Sequence, residues 1–151
     1  MTDQNPAGAR GIDPRGPRFG AALTSVVLAL ALLTGNVWVL AAQTVIFAIG
    51  SLFGVQRSPY SLLFRRFVRP RLAPPTELES PEPPRFAQTV GLAVAGLGLV
   101  FAAAGAGAAV EIAAALALVA AFLNAAFGLC LGCELYLLLA RLRGPRPATG
   151  Q

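Results

Sequence analysis

Apolar positions in this chain come in long unbroken runs, without the polar gaps that mark the outer face of a soluble helix or strand. Residues 19–34, 37–54 and 86–104, and a run opening near Ala109 that stays apolar as far as Ala140, each read as a helix suited to a bilayer. About 20 residues cross a typical hydrocarbon core, so the first two are short spans and the last is a full span with something more attached. The connections at 34–36, "TGN", and 105–109, "GAGAA", are short enough to be the tight turns of helical hairpins.

The order of parts occurs twice. "GPRFGAALTSVVLALALL" from Gly16 and "PPRFAQTVGLAVAGLGLV" from Pro83 both put Pro-Arg-Phe before a span. "FGVQRSPYSLLFRRFVRP" from Phe53 aligns with "FGLCLGCELYLLLARLRGP" from Phe127. The expected fold is all-α: an integral membrane four-helix bundle from two tandem helical hairpins, each followed by a short interfacial helix. An even number of spans per copy makes the copies parallel, about a pseudo-two-fold axis along the membrane normal. Spans rich in Ala, Leu and Gly also align by composition alone, which is the rival account.

In the first copy Ser58 and Pro59 read as an N-cap and the first helical residue, so the span ends near Gly54 and an interfacial helix covers about 59–69. It places Leu63, Phe64 and Phe67 on one side and Arg65, Arg66 and Arg69 mostly on the other. Aligning Gly132-Cys133 with Ser58-Pro59 ends the fourth span near Gly128, at 109–128, and starts the second interfacial helix at about 133–143. The alternative is one continuous long helix carrying both cysteines on one face. Residues 70–85 form a Pro-rich loop with Glu77, Glu79 and Glu82, expected to be an extended connector. Residues 1–12 and 144–151 read as disordered tails around a single membrane domain at 13–143.

Charge adds an orientation. Of the 151 residues 56% are hydrophobic and 13% charged, and the net charge is +5. All twelve cations are Arg, confined to the N-terminal segment, the central loop and the C-terminal segment, and absent from both hairpin turns. That distribution argues against nucleic acid as a partner. By the positive-inside rule it puts both termini and the central loop on the cytoplasmic side of the cell membrane. A cleaved signal peptide is the rival reading of the N-terminus, but the apolar sequence resumes after a three-residue break, as in a hairpin. The absence of Lys fits a high-GC bacterial composition.

Against this background the two cysteines, Cys130 and Cys133, stand out. Their spacing suits a reversible disulfide or two ligands of a metal site. With no His in the chain and only Glu134 beside the motif, a four-thiolate site would require a homodimer. Inert buried thiols are the third possibility. At a helix start a cysteine meets free amide N–H groups and the positive end of the dipole, which favour the thiolate. Cys130 and Cys133 are therefore the candidate catalytic pair. Glu134 is a candidate proton-exchange partner or an interfacial carboxylate paired with Arg141, and Arg57 is a candidate cation from the equivalent corner of the first copy. Gln43 and Asn124 should face the bundle interior, Gln88 is a further polar residue within a span, and Glu111 opens the fourth span at its outer end.

The segments "RGPRF", "SPYSLLFRRFVRPRL", "PPRFAQTVGL" and "FLNAAFGLCLGCELYLLL" resemble the actinobacterial membrane family catalogued as domain of unknown function 4395, over nearly all of 13–143. The resemblance implies a small multi-span membrane protein encoded in some genomes near thioredoxin-like and sulfurtransferase genes. It specifies neither an activity nor a cofactor. More distantly, four spans with a Cys-x-x-Cys at a helix end are similar to quinone-linked thiol oxidoreductases of the vitamin K epoxide reductase type. This chain lacks their second cysteine pair, and its motif is expected on the cytoplasmic side. The expected function is thiol–disulfide redox or sulfur handling at Cys130 and Cys133, with a cytoplasmic thioredoxin-like or sulfurtransferase protein as partner. The alternatives are a small transporter or channel subunit for a sulfur species and a non-catalytic membrane scaffold.

Overall fold

The structure is a computed structural model that describes residues 11–144; most of both tail segments, 1–10 and 145–151, lies outside the described residues. Among the described residues every named element is a helix, and the one β-contact is an isolated bridge. Helices α1 (Arg15–Thr34), α4 (Glu82–Ala103) and α5 (Ala109–Phe127) are long and apolar enough to cross a membrane; α2 (Val37–Phe53) is equally apolar but shorter. Two short helices follow α2 and α5. They are α3 (Pro59–Leu63), which runs on as a π-helical turn over Phe64–Val68 and a 3-10 turn over Arg69–Arg71, and α6 (Leu131–Leu142).

The turns follow local chemistry. At the first, Gly35 takes a left-handed conformation at φ 61°, and Asn36 caps α2 by accepting the Trp38 amide at 2.8 Å. At the α2–α3 corner Gly54 has φ 97°, a region that favours glycine. Pro59 then occupies the first helical position, where a missing N–H costs nothing.

Packing runs across the hairpins. α1 packs most extensively against α5 and α2 against α4, with smaller contacts between α1 and α2 and between α4 and α5. The core unites Leu28 and Ala31 of α1, Leu40 and Phe47 of α2, Ala95 of α4, and Val110, Ala113, Ala114 and Ala117 of α5. Its small side chains let helices approach closely: a Cβ on Gly98 would collide with that of Ala113, and one on Gly91 would lie 2.8 Å from the Phe47 ring. Between α2 and α4 the Ser51 and Thr89 hydroxyls share a hydrogen bond of 2.7 Å. Large residues elsewhere on the helices, among them Leu33, Trp38, Val100 and Phe101, point outward.

The connector at 72–81 is strapped down at two points. Ile12 and Glu79 exchange two backbone hydrogen bonds of 2.9 Å each, and Arg15 donates to the Ala73 carbonyl at 2.9 Å. Arg15 also pairs with buried Asp13 at 2.8 Å. The hydrogen bonds that Arg15 donates to the Asp13 carboxyl hold it below the usual carboxylate range. Ile12, read from sequence as part of a disordered tail, is buried.

On α3 and its π turn, Phe64 is buried, whereas Leu62, Leu63 and Phe67 are exposed beside Arg65, Arg66 and Arg69. Helix α6 has no fully buried residue and exposes Leu131, Leu135, Leu137, Leu138 and Leu142.

Candidate functional site

The run from Ala109 onward is interrupted. α5 stops at Phe127, and Gly128 adopts a left-handed conformation with φ 70°, its amide bonded to the Asn124 carbonyl and that of Leu129 to Leu123. α6 begins at Leu131 with Cys130 as its N-cap, two residues earlier than alignment with Ser58-Pro59 places it. The earlier start has a clear cause: Cys130 has the extended backbone of a cap, and its sulfur accepts the Cys133 amide at 3.2 Å, as an Asp or Ser oxygen does at an ordinary cap. The alternative of one continuous long helix through the cysteines is excluded.

Cys130 and Cys133 are joined as a disulfide, their Cα atoms 5.1 Å apart. The pair spans the cap and the first turn of α6, and both residues are half-buried. Between them, Gly132 lies against α4 so closely that a Cβ would sit 2.5 Å from the Ala87 Cβ and 2.6 Å from its Cα. One turn further, Tyr136 packs on Phe86 with ring centroids 5.7 Å apart and donates its hydroxyl to Glu82 at 2.7 Å.

The cation at this corner is Arg18. Its guanidinium reaches from α1 to donate to the Ala125 carbonyl at 3.2 Å in the last turn of α5, and it lies 3.8 Å from where a Gly128 Cβ would be. Arg57, the cation suggested by the sequence, is exposed in the α2–α3 corner, where Arg85 of α4 plays the matching part by donating to the Ser51 and Leu52 carbonyls at 2.7 and 3.0 Å. The doubled Pro-Arg-Phe was the available signal for both contacts. Glu134 is exposed in the first turn of α6 and makes no ion pair with Arg141.

The other polar residues lie apart from this corner. Gln43 is fully buried, accepts the Tyr60 hydroxyl at 2.8 Å and donates to Thr24 at 3.5 Å. Burial pushes the Tyr60 phenol up, keeping it a donor. Gln88 packs its side chain onto Gly50. Glu111 has one carboxylate oxygen, Oε2, buried without a hydrogen-bond partner among the described residues, while Oε1 comes within 2.8 Å of where a Gly35 Cβ would sit. A cavity of about 300 Å³ lies between the N-terminal segment and the α2–α3 corner, with Asp13, Gln56, Arg65 and Arg69 in its wall. Among the described residues no three His, Cys, Asp or Glu side chains gather as a metal site would require.

What remains with chemical capacity is a disulfide at a helix start, held by a left-handed glycine, a sulfur cap and a glycine contact. Reduction would leave the Cys130 sulfur facing an amide N–H at the positive end of α6, where a thiolate is favoured. No curated protein and no solved structure matches the chain. The family model described as "Domain of unknown function (DUF4395)" matches residues 12–141, from the strap residue Ile12 through the disulfide to the last turn of α6, and the chain belongs to that family.

Proposed function

We propose that the protein is an integral membrane thiol–disulfide protein whose Cys130–Cys133 pair exchanges electrons with a cytoplasmic thioredoxin-like partner. The observation that carries this reading is the placement of the disulfide: Cys130 is the N-cap of α6 and its sulfur accepts an amide N–H. Capping alone would be served by a Ser or Asp oxygen without a second cysteine, whereas exchange depends on a stabilised and reachable thiolate.

Reduction proceeds in two balanced steps. A partner thiolate attacks the Cys130 sulfur, the Cys130–Cys133 bond breaks, and Cys133 leaves with the electron pair and takes a proton. The partner's second thiolate then attacks its own sulfur in the mixed disulfide and releases Cys130 as a thiolate. Two electrons pass from the partner dithiol to the pair, and the partner becomes a disulfide. Oxidation is the reverse, with the Cys130 thiolate as attacking group. Glu134 is positioned one residue beyond Cys133 to exchange its proton with solvent.

In the same reading α1, α2, α4 and α5 are four spans in two tandem hairpins with both termini cytoplasmic. Support comes from contacts that recur in both halves. Arg18 caps α5 and Arg85 caps α2; Phe19 packs on Phe64 as Phe86 packs on Tyr136; and α1 lies on α5 as α4 lies on α2. In this register Cys130 takes the place of Ser58, because the second corner is two residues shorter than the first.

The experiment is trapping in cells. Cys133→Ser removes the resolving thiol and should accumulate a covalent adduct through Cys130 with a thioredoxin-like protein, reversible by dithiothreitol; Cys130→Ser should give much less. Wild-type behaviour of the double variant, with no adduct from either single one, would move the protein to the scaffold reading.

A further inference from the structure

We infer that Arg18 is a positioning residue for the disulfide site: by holding the end of α5 and placing a positive charge beside the 128–130 corner, it favours the thiolate of Cys130. The inference rests on the thiol–disulfide reading above.

Three observations carry it. The Arg18 guanidinium occupies the C-terminal end of α5, donating to Ala125 and lying 3.8 Å from the Cβ position of Gly128. Cys130 follows two residues later, and two residues span at most about 7 Å of backbone, so the charge and the sulfur lie no more than about 15 Å apart. Arg18 is exposed and makes no ion pair with a carboxylate among the described residues, so what offsets its charge is solvent and the carbonyl end of α5 and not a paired anion.

The other ionisable groups near this end of the bundle do not supply the same field. On α6, Glu134 would oppose a thiolate and Arg141 lies two turns further along; on α4, Glu82 is bonded to Tyr136 and Arg85 sits at the other corner, on the carbonyls that end α2. On α5 the ionisable residue is Glu111, at the opposite end. Arg18 is thus the cation that α1 brings to the cysteine corner, and it adds to the Cys133 amide that the sulfur already accepts. A unit charge at this distance, exposed on one side, changes a thiolate population by about two- to sixfold.

The internal repeat supplies a control. Arg85 makes the equivalent cap on α2, at a corner without cysteines. Loss of either arginine costs a helix cap, but only loss of Arg18 should alter the thiol.

The test uses the full chain in detergent carrying Cys133→Ser, so that Cys130 is the sole thiol, and follows its alkylation rate by iodoacetamide from pH 5 to 10. Arg18→Gln should move the profile to higher pH and slow alkylation at neutral pH about two- to sixfold. Arg18→Lys should restore most of the rate, and Arg85→Gln should leave the profile in place. In the two-cysteine protein, equilibrated with dithiothreitol buffers, Arg18→Gln should make the disulfide harder to reduce. Equal profiles for Arg18→Gln and the parent, or an equal shift from Arg85→Gln, would overturn the inference. If the parent Cys130 already titrates as an ordinary thiol and the pair resists reduction, the thiol–disulfide reading itself fails, which is a separate outcome.

Discussion

The Cys130–Cys133 motif is confined by the small residue inside it. Gly132 lies against Ala87 with no room for a Cβ, which fixes how α6 rests on α4 and so where Cys133 points. Gly132→Ala should lower the thermal stability of the detergent-solubilised protein by about 1–3 kcal/mol, the usual penalty of overpacking, and slow exchange at the disulfide as α6 shifts. Gly96→Ala is the comparison, since a Cβ there meets nothing within 4 Å and the site is an ordinary helical one. A smaller effect at Gly132 than at Gly96 would show that the contact with Ala87 is not tight. Asp13 provides a test at the opposite corner. Its carboxyl is held below the usual range chiefly by the hydrogen bond from Arg15, so its stabilisation is fully present above the unfolded carboxylate value and is lost as pH falls through the lower, folded one. The strap between Ile12 and Glu79 should therefore be indifferent to pH from 5 to 8 and loosen only in acid, below the ordinary 3.8. Proteolysis of the 72–81 connector against pH measures this, and Asp13→Asn should loosen the strap across the whole range.

At the scale of elements, much of the fold is legible in the sequence because the forces involved are local. Apolar runs, Gly35 at one turn, the Ser58-Pro59 start and Gly128 before the cysteines all act through backbone conformation or hydropathy, and each coincides with a helix or a helix end. The corner register was less legible. Cys130 serves as an N-cap through its sulfur, a role that sequence patterns assign to oxygen-bearing side chains, so α6 starts earlier than a comparison with Ser58-Pro59 suggests. The strap was hidden for another reason, since it joins residues far apart in the chain and leaves no periodic trace, while the Arg18 contact left only the doubled Pro-Arg-Phe, which marks the arginine but not the carbonyl it reaches. Arg85 offers a direct check on such long-range caps. Because it donates to two carbonyls at the end of α2, Arg85→Ala should cost about 1 kcal/mol and speed amide exchange in the last turn of α2. Unchanged exchange there would mean that solvent satisfies those carbonyls equally well.

At the scale of the whole molecule, the placement of the arginines predicts an orientation. Three helices are long and apolar enough to cross a membrane and α2 is shorter, while Arg clusters at the end of the bundle that holds the strap, the cavity and the disulfide. Under the four-span topology, reporter fusions after Arg71 and at Gln151 should read as cytoplasmic and one near Asn36 as external. A C-terminal reporter on the outer side would overturn that topology and place the disulfide away from any cytoplasmic partner. The crossed arrangement, with Arg18 of α1 closing α5 and Arg85 of α4 closing α2, also has a consequence for how the chain can be divided. Each half holds the arginine that completes a helix of the other, and the largest helix contacts, α1 with α5 and α2 with α4, run between the halves. A chain cut within 74–77 and produced as two separate polypeptides should therefore reassemble in one membrane, each fragment acting as the template on which its complement matures.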